Sequence, residues 1–400
     1  MRRRKVRKTK NINICFKSIF VLITIILFLG FAIYYTFTVA GIKNIDKTRL
    51  NGSQRYLLSQ SNGESKRTVI IIEKGLDKER KISEVYLFLS NKEKGKSLLV
   101  YIPNWLYFTG LEENFGSAIP ISSFRYAGDT LQEDRGVEYS VWQISQILGI
   151  TFNNYIYINS EANNTLNAVF GEDVAQRDRY KEVFKAEDKS SLSEGFFKLQ
   201  AISSKISFVK SLFKLNEFNN FNNNIYSNLS FIQTINLLKS IDKTLQSTES
   251  YAIDLTSPKY SEEKLSNTGG IKRYFLSTEF DKSYRELISL LIDRELEKER
   301  VRVEVYNGSG VAGSAMQFGR KIENSGCDVV RYENAPKTIE KTVVYISKPE
   351  DFKKSFKIVS EIFSDNFDLV QGRPDFMTTG DIVIILGEDI KRMYSNTKFY

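Results

Sequence analysis

Near the C-terminus, Gly308-Ser309-Gly310-Val311-Ala312-Gly313 spells G-x-G-x-x-G. The six residues follow a strand-like run at 301–306 and precede a helix-like one. Glu333 stands twenty residues beyond Gly313. With this spacing a strand–turn–helix can cradle a dinucleotide pyrophosphate, the acid binding the ribose. The same glycines also suit a purely structural turn. Asn307, Gly308 and Gly310 fit a tight strand-to-helix connection, and Gly313 with Ala315 lets a helix lie close on a sheet. A third use is contact between the helix start and an anion or glycan.

Other chemistry is limited by composition. The chain has no histidine, so Ser-His and Cys-His nucleophile pairs and His-ligated metals are excluded. A general base must be a carboxylate, Lys or Tyr. The two cysteines, Cys15 and Cys327, are far apart in sequence and are not expected to pair. Cys327 reads as a small buried apolar residue. The net charge of +9 belongs to one tail. Eight of the 57 basic residues lie in the first 17 positions, and no acid precedes Asp46. The rest carries 49 basic residues against 48 acidic. A nearly neutral body has no bulk attraction for phosphate backbones, so nucleic acid is not an expected partner.

The elements that would position these residues come next. Residues 18–40 hold no charge over 23 positions, enough to cross a hydrocarbon core of roughly 30 Å. The run is longer than a signal-peptide core and lacks a clear cleavage site, so a retained anchor is expected. The basic tail, 1–17, then lies in the cytoplasm and the bulk of the chain outside. NAD and ATP are scarce there, which weighs against the dinucleotide reading. A polar linker, 41–66, follows. Runs at 68–75, 83–91, 96–104 and 154–159 read as strands. Residues 137–148 read as a helix ending at Gly149, and helices are expected through 191–245 around an Asn-rich loop, 216–224. Tyr284, Leu287, Ile288 and Leu291 predict an amphipathic helix over 282–299. Strands at 301–306, 327–332, 341–346 and 382–387 and helices at 312–325 and 351–363 predict a small two-layer β-α-β-β-α-β domain, with Gly326 capping its first helix.

This order resembles the LytR-CpsA-Psr family of bacterial cell-envelope proteins. The blocks VRVEVYNGSGVAGSAMQFGRKIENSGCDVV, KTVVYISKPEDFKKSFKIVSEIF and DIVIILGEDI are similar to the LytR C-terminal domain over 301–390. TVIIIEKGLD, SEVYLFLSNKEKGKSLLVYIP, SSFRYAGD, VWQISQILGITFNNYIYINSEA and NLSFIQTINLLKSI are similar, in order, to parts of the family's catalytic domain over 67–300. The resemblance implies an α/β fold, a three-layer mixed-sheet ectodomain. It also implies an activity, the transfer of a glycopolymer phosphate from a polyprenyl pyrophosphate carrier to peptidoglycan, with arginines and Mg2+ holding the pyrophosphate.

Several of those groups are replaced. The G-x-D motif falls on Gly75-Leu76-Asp77, which leaves Asp77 as a metal-ligand candidate. R-x-D-T falls on Lys81-Ile82-Ser83-Glu84, so Arg becomes Lys and Asp becomes Ser. Lys keeps the charge and loses the bidentate fork. Glu84 is adjacent to Ser83, but neighbouring strand residues face opposite sides. I-P-R-D falls on Ile102-Pro103-Asn104-Trp105. Arg177 and Arg179 are out of context, and Arg125 and Arg135 read as solvated surface residues. The expectation is a fold kept without its standard reaction, acting in cell-wall organisation by binding a glycopolymer, a polyprenyl-phosphate lipid or an envelope-assembly protein. The alternative is an active phosphotransferase with a site rebuilt from Asp77, Lys81, Glu84 and Arg125.

Overall fold

The computed structural model describes residues 19–33, 65–75, 80–108, 118–131, 133–170, 180–185, 191–206, 224–266, 269–363 and 366–390. The chain divides into two units, 1–46 and 47–400. In the first, residues 19–33 form helix α1, with most of its apolar side chains exposed. Among the described residues no helix is long and apolar enough to cross a membrane. The rest of the expected span, 34–40 and Ser18, lies outside the described residues.

The second unit is built on a seven-stranded mixed sheet. Its strands are β1 (Ser65–Lys74), β2 (Lys81–Asn91), β3 (Lys96–Pro103), β4 (Asn154–Ile158), β5 (Phe184–Lys185), β6 (Ile225–Ser227) and β7 (Glu249–Asp254), in the order β5-β7-β3-β2-β1-β4-β6. β1 and β2 pair antiparallel, as do β2 and β3, whereas β1–β4 and β3–β7 are parallel. The central run Val69-Ile70-Ile71-Ile72 is buried on both faces, which is why it reads as continuous apolar sequence rather than alternation.

Helices cover each face, giving three layers. Val69, Ile71, Val85 and Leu87 pack under α2 (Phe124–Leu131), α3 (Gly136–Leu148) and α7 (Ser277–Leu291). Ile70, Tyr86 and Phe88 pack under α4 (Ser160–Phe170), α5 (Glu194–Lys205) and α6 (Phe231–Ser247). Local signals set the boundaries. Ser230 and Gln233 form a capping box at the start of α6, and Gly149 takes a left-handed conformation (φ 61°) after α3.

The helix expected over 282–299 is broken. It runs as α7, leaves the helical conformation at Ile292 (ψ 158°), and resumes as α8 (Arg294–Glu299). Ile292 packs against the cores of both domains, so the break fits a residue shared between them.

The C-terminal domain follows with β10 (Arg302–Asn307), α9 (Ser314–Glu323), β11 (Asp328–Asn334), β12 (Val343–Ile346), α10 (Lys353–Ile362), β13 (Asp368–Gln371) and β14 (Ile382–Leu386). Within the first domain, ahead of α7, a hairpin, β8 (Ser261–Leu265) and β9 (Ile271–Phe275), makes its own two-stranded sheet. The last sheet has five strands, not four, in the order β11-β10-β14-β12-β13. The additional strand, β13, is short, exposed and lies at the edge, so no alternation marks it in the sequence. Two helices on one face make two layers, as expected. Arg320 donates to Asp281, Asn324 Nδ2 to Leu148 O at 3.0 Å, and Arg67 Nη1 to Ser325 Oγ at 3.0 Å, which fixes this domain on the first.

Candidate functional site

The antiparallel registers gather the ends of β1, β3 and β4 and the start of β2 at one end of the large sheet. In open α/β sheets, ligands are most often held at such strand ends. Asp77, in 76–79, lies outside the described residues. Lys81 is exposed at the start of β2. Ser83 donates Oγ to Ile72 O at 3.0 Å, and Asn104 donates Nδ2 to Ile82 O at 3.3 Å. Trp105 lies under the Arg273 guanidinium, 5.2 Å from carbon to ring centre. The side chains at Ser83 and Asn104 therefore bind neighbouring backbone.

A buried ionic cluster sits beside them. Glu73 shares a face with Val69 and Ile71, so its carboxylate enters the core. Tyr157 donates its hydroxyl to Glu73 Oε1, and Ser160 N donates to Oε2 at 3.3 Å. Arg125 Nε lies 3.8 Å from Glu73 and 3.0 Å from Asp129 Oδ2. Asp129 also accepts from Gly136 N at 2.8 Å. Gly136 is required here, because a Cβ would lie 2.2 Å from Arg125 O and 2.7 Å from Arg125 Cδ. Burial raises the Glu73 pKa above its ordinary 4.5, outweighing the opposing effects of Tyr157 and Arg125. Arg125 is 6% exposed, which corrects its reading as a solvated residue. Arg135 is corrected likewise: its side chain is 16% exposed and lies 3.5 Å from Glu138. Arg177 and Arg179 lie outside the described residues.

Glu84 belongs to the opposite face. It accepts from Tyr101 Oη at 2.7 Å and from Lys198 Nζ. Burial first, then Glu84, raises the Tyr101 phenol well above its ordinary value. Of the proposed rebuilt set, Glu84 and Arg125 are thus separated by the sheet and do not form one site. The described residues also fit a divalent cation poorly. No three carboxylate or thiolate groups converge among them, and the Glu73 carboxylate already holds a tyrosine hydroxyl and a backbone amide.

Glu73, Asp129, Tyr157 and Lys198 escaped the sequence reading. Glu73 alone carried a signal, as a single carboxylate in phase with the buried residues of an apolar strand, since such a charge demands a partner.

The glycine turn shows a different arrangement. Asn307 donates Nδ2 to Val311 O at 2.8 Å and accepts from Ser309 N at 3.1 Å and Ser309 Oγ at 2.7 Å. Val311 N donates to Ser309 Oγ at 3.1 Å. Gly308 N donates to Leu386 O at 2.9 Å, and a Cβ on Gly308 would lie 2.9 Å from that same oxygen. Two of the amides that a pyrophosphate would need are therefore engaged by side chains of the turn itself. Gly310 and Gly313 have φ near +73° and +75°, and no atom lies within 4 Å of a Cβ built on either. Close approach of helix to sheet falls instead to Gly319, where a Cβ would lie 2.0 Å from Tyr332. Cys327 is buried, and burial pushes its thiol up to about 12.

Residues 300–389 match a family model described as LytR cell envelope-related transcriptional attenuator. Among solved structures, the chain is similar to the transcriptional regulator yvhJ from Bacillus subtilis, at 11% identity over 58% of this chain and 99% of that one, with a TM-score of 0.38. It is also similar to protein gbs0355 from Streptococcus agalactiae, at 13% identity over 57% and 88%, TM-score 0.39. A third, B. subtilis TagT, shows 16% identity over 56% and 91%, TM-score 0.35. No curated protein matches.

Proposed function

We propose, from the premise that residues 300–389 form a LytR C-terminal domain, that the chain is a single-pass envelope protein. Its residues 18–40 span the membrane and its bulk lies outside the cell. Residues 67–300 form a LytR-CpsA-Psr-type domain that binds an envelope component and does not transfer phosphate.

One observation carries the non-catalytic reading: Arg125, the buried arginine at the strand ends, lies in an ion pair with Glu73 and Asp129. Its buried Nε and Nη1 make no hydrogen bond among the described residues, and Nε lies within ion-pair distance of both carboxylates. Phosphoryl transfer depends on positioned cations that neutralise developing charge, usually through bidentate arginine forks. Ser83, Asn104 and Trp105, at positions the resemblance assigns to charged groups, supply no such fork. Each missing charge-assisted contact weakens pyrophosphate binding by about 1.5–3 kcal/mol.

The test is calorimetric titration of the full-length chain, in nonionic detergent, with a polyprenyl pyrophosphate and Mg2+. Binding unaffected by chelation, with no transfer to peptidoglycan, is expected. Tight Mg2+-dependent binding that disappears in Asp77→Ala would instead establish an active phosphotransferase.

A further inference from the structure

At the other end of the large sheet, the β2–β3 turn packs on the end of α7 and on α8. Asn91 pins it, donating Nδ2 to Leu291 O at 2.9 Å and accepting from Lys94 N at 3.0 Å. Lys94 Nζ meets Glu297 Oε2 at 2.9 Å. Between these elements opens a groove of about 870 Å3 lined by Lys94, Lys96, Arg294, Lys298 and Arg300, with Glu297 its one acid. Five cations against one carboxylate leave an excess of four charges, in a body whose total net charge is +1.

Three of these cations make no close ion pair. Arg294, Lys298 and Arg300 are exposed, and among the described residues none lies within ion-pair distance of a carboxylate. Arg294 and Lys298 are one helical turn apart and rise from the same side of α8. Arg300 follows in a left-handed conformation, φ 44° and ψ 39°, where glycine is the usual occupant. An arginine retained at that backbone position keeps a fifth charge on the groove.

We propose that this groove binds a linear polyanion with closely spaced phosphates. The volume is far larger than one phosphate requires. No aromatic ring lines the groove to stack nucleic-acid bases, and Leu290 is its sole apolar residue, too little to enter a bilayer. No residue of the Glu73 or Glu84 cluster takes part, so this inference stands apart from the catalytic question.

The experiment measures the anisotropy of end-labelled inorganic polyphosphate titrated with the full-length chain in nonionic detergent. Saturable binding is expected, with a log–log salt slope of about −3 for four neutralised charges. Arg294→Glu with Lys298→Glu should weaken it by about tenfold or more, and Arg300→Gly should weaken it less while leaving the melting temperature unchanged or higher. Lys264→Glu, on the separate β8–β9 hairpin, should leave binding intact. Four outcomes would overturn the proposal. They are equal loss in Lys264→Glu, full competition by orthophosphate at matched phosphate concentration, equal competition by phosphatidylglycerol added to the micelles, and tighter binding of a single-stranded oligonucleotide than of polyphosphate.

Discussion

The two ends of one sheet treat charge in opposite ways. Around Glu73 the ionised groups are buried and matched, Arg125 to Glu73 and Asp129, with Tyr157 closing the set. Around the β2–β3 turn, cations are exposed and mostly unmatched. The contrast follows from solvation. A charge taken out of water must find a partner inside the protein, whereas an exposed one is held by water until a ligand replaces it. Residue type alone therefore says little about which arginine serves a ligand. Arg125 and Arg294 look alike in sequence and have opposite surroundings.

The largest expected effect tests the matched end. Arg125→Ala leaves buried Glu73 without its ion-pair partner and Asp129 with only the exposed Arg80, 3.4 Å away, and should destabilise the chain by about 3–5 kcal/mol. Urea unfolding followed by tryptophan emission reads this domain, because Trp105 and Trp142 both belong to it. Arg125→Met combined with Glu73→Gln should lose clearly less than the single variant, since no buried charge of the pair remains unpaired. Were Arg125→Ala as stable as the parent, the cluster would not be structural and the contrast would fail.

The same cluster has a pH signature. In the folded chain Glu73 holds its proton to a pH above 4.5, so the native state binds protons more readily than the unfolded chain. Its contribution to stability is then fully present below about pH 4.5 and is lost as pH rises through the folded value. Glu73→Gln should flatten this part of the profile. Profiles of the two proteins measured in parallel and found superimposable would show that Glu73 is not desolvated.

A smaller effect is expected at the glycine turn, where neutral groups are satisfied locally. Asn307→Ala removes three hydrogen bonds of the turn and should cost about 1–3 kcal/mol. Added dinucleotide should leave the melting point of parent and variant unchanged. Protection by NAD would revive the G-x-G-x-x-G reading.

The strands and several helix ends were legible because they depend on local rules. Alternation and apolar runs marked β1 to β4, and Gly149 marked the end of α3. What escaped was what depends on distant partners. Glu73 and Tyr157 are 84 positions apart, and nothing near either announces the other. Arg125 looked solvated because it stands isolated in the sequence, while helix α2 turns it inward. The interruption at Ile292 was hidden because apolar spacing describes one core at a time, and Ile292 touches two. In the glycine motif, sequence identified a tight turn but gave Gly313 the packing role that belongs to Gly319, since spacing does not reveal which glycine faces Tyr332.

The smallest expected effect is at the unmatched end, and its smallness is informative. If Arg294 and Lys298 stabilised the fold, removing their charge would be felt in unfolding. Both are exposed, and surface substitutions without buried partners usually change stability by within about 0.5 kcal/mol. Arg294→Gln with Lys298→Gln should therefore unfold within that margin at moderate salt. At low ionic strength it should be slightly more stable than the parent, because like charges on neighbouring turns repel. The gain should vanish as salt is raised and the Debye length shortens to about 3 Å near 1 M. A substantial loss of stability at every salt concentration would mean that these cations are held by internal partners after all, and the two ends of the sheet would then differ in exposure but not in the use of charge.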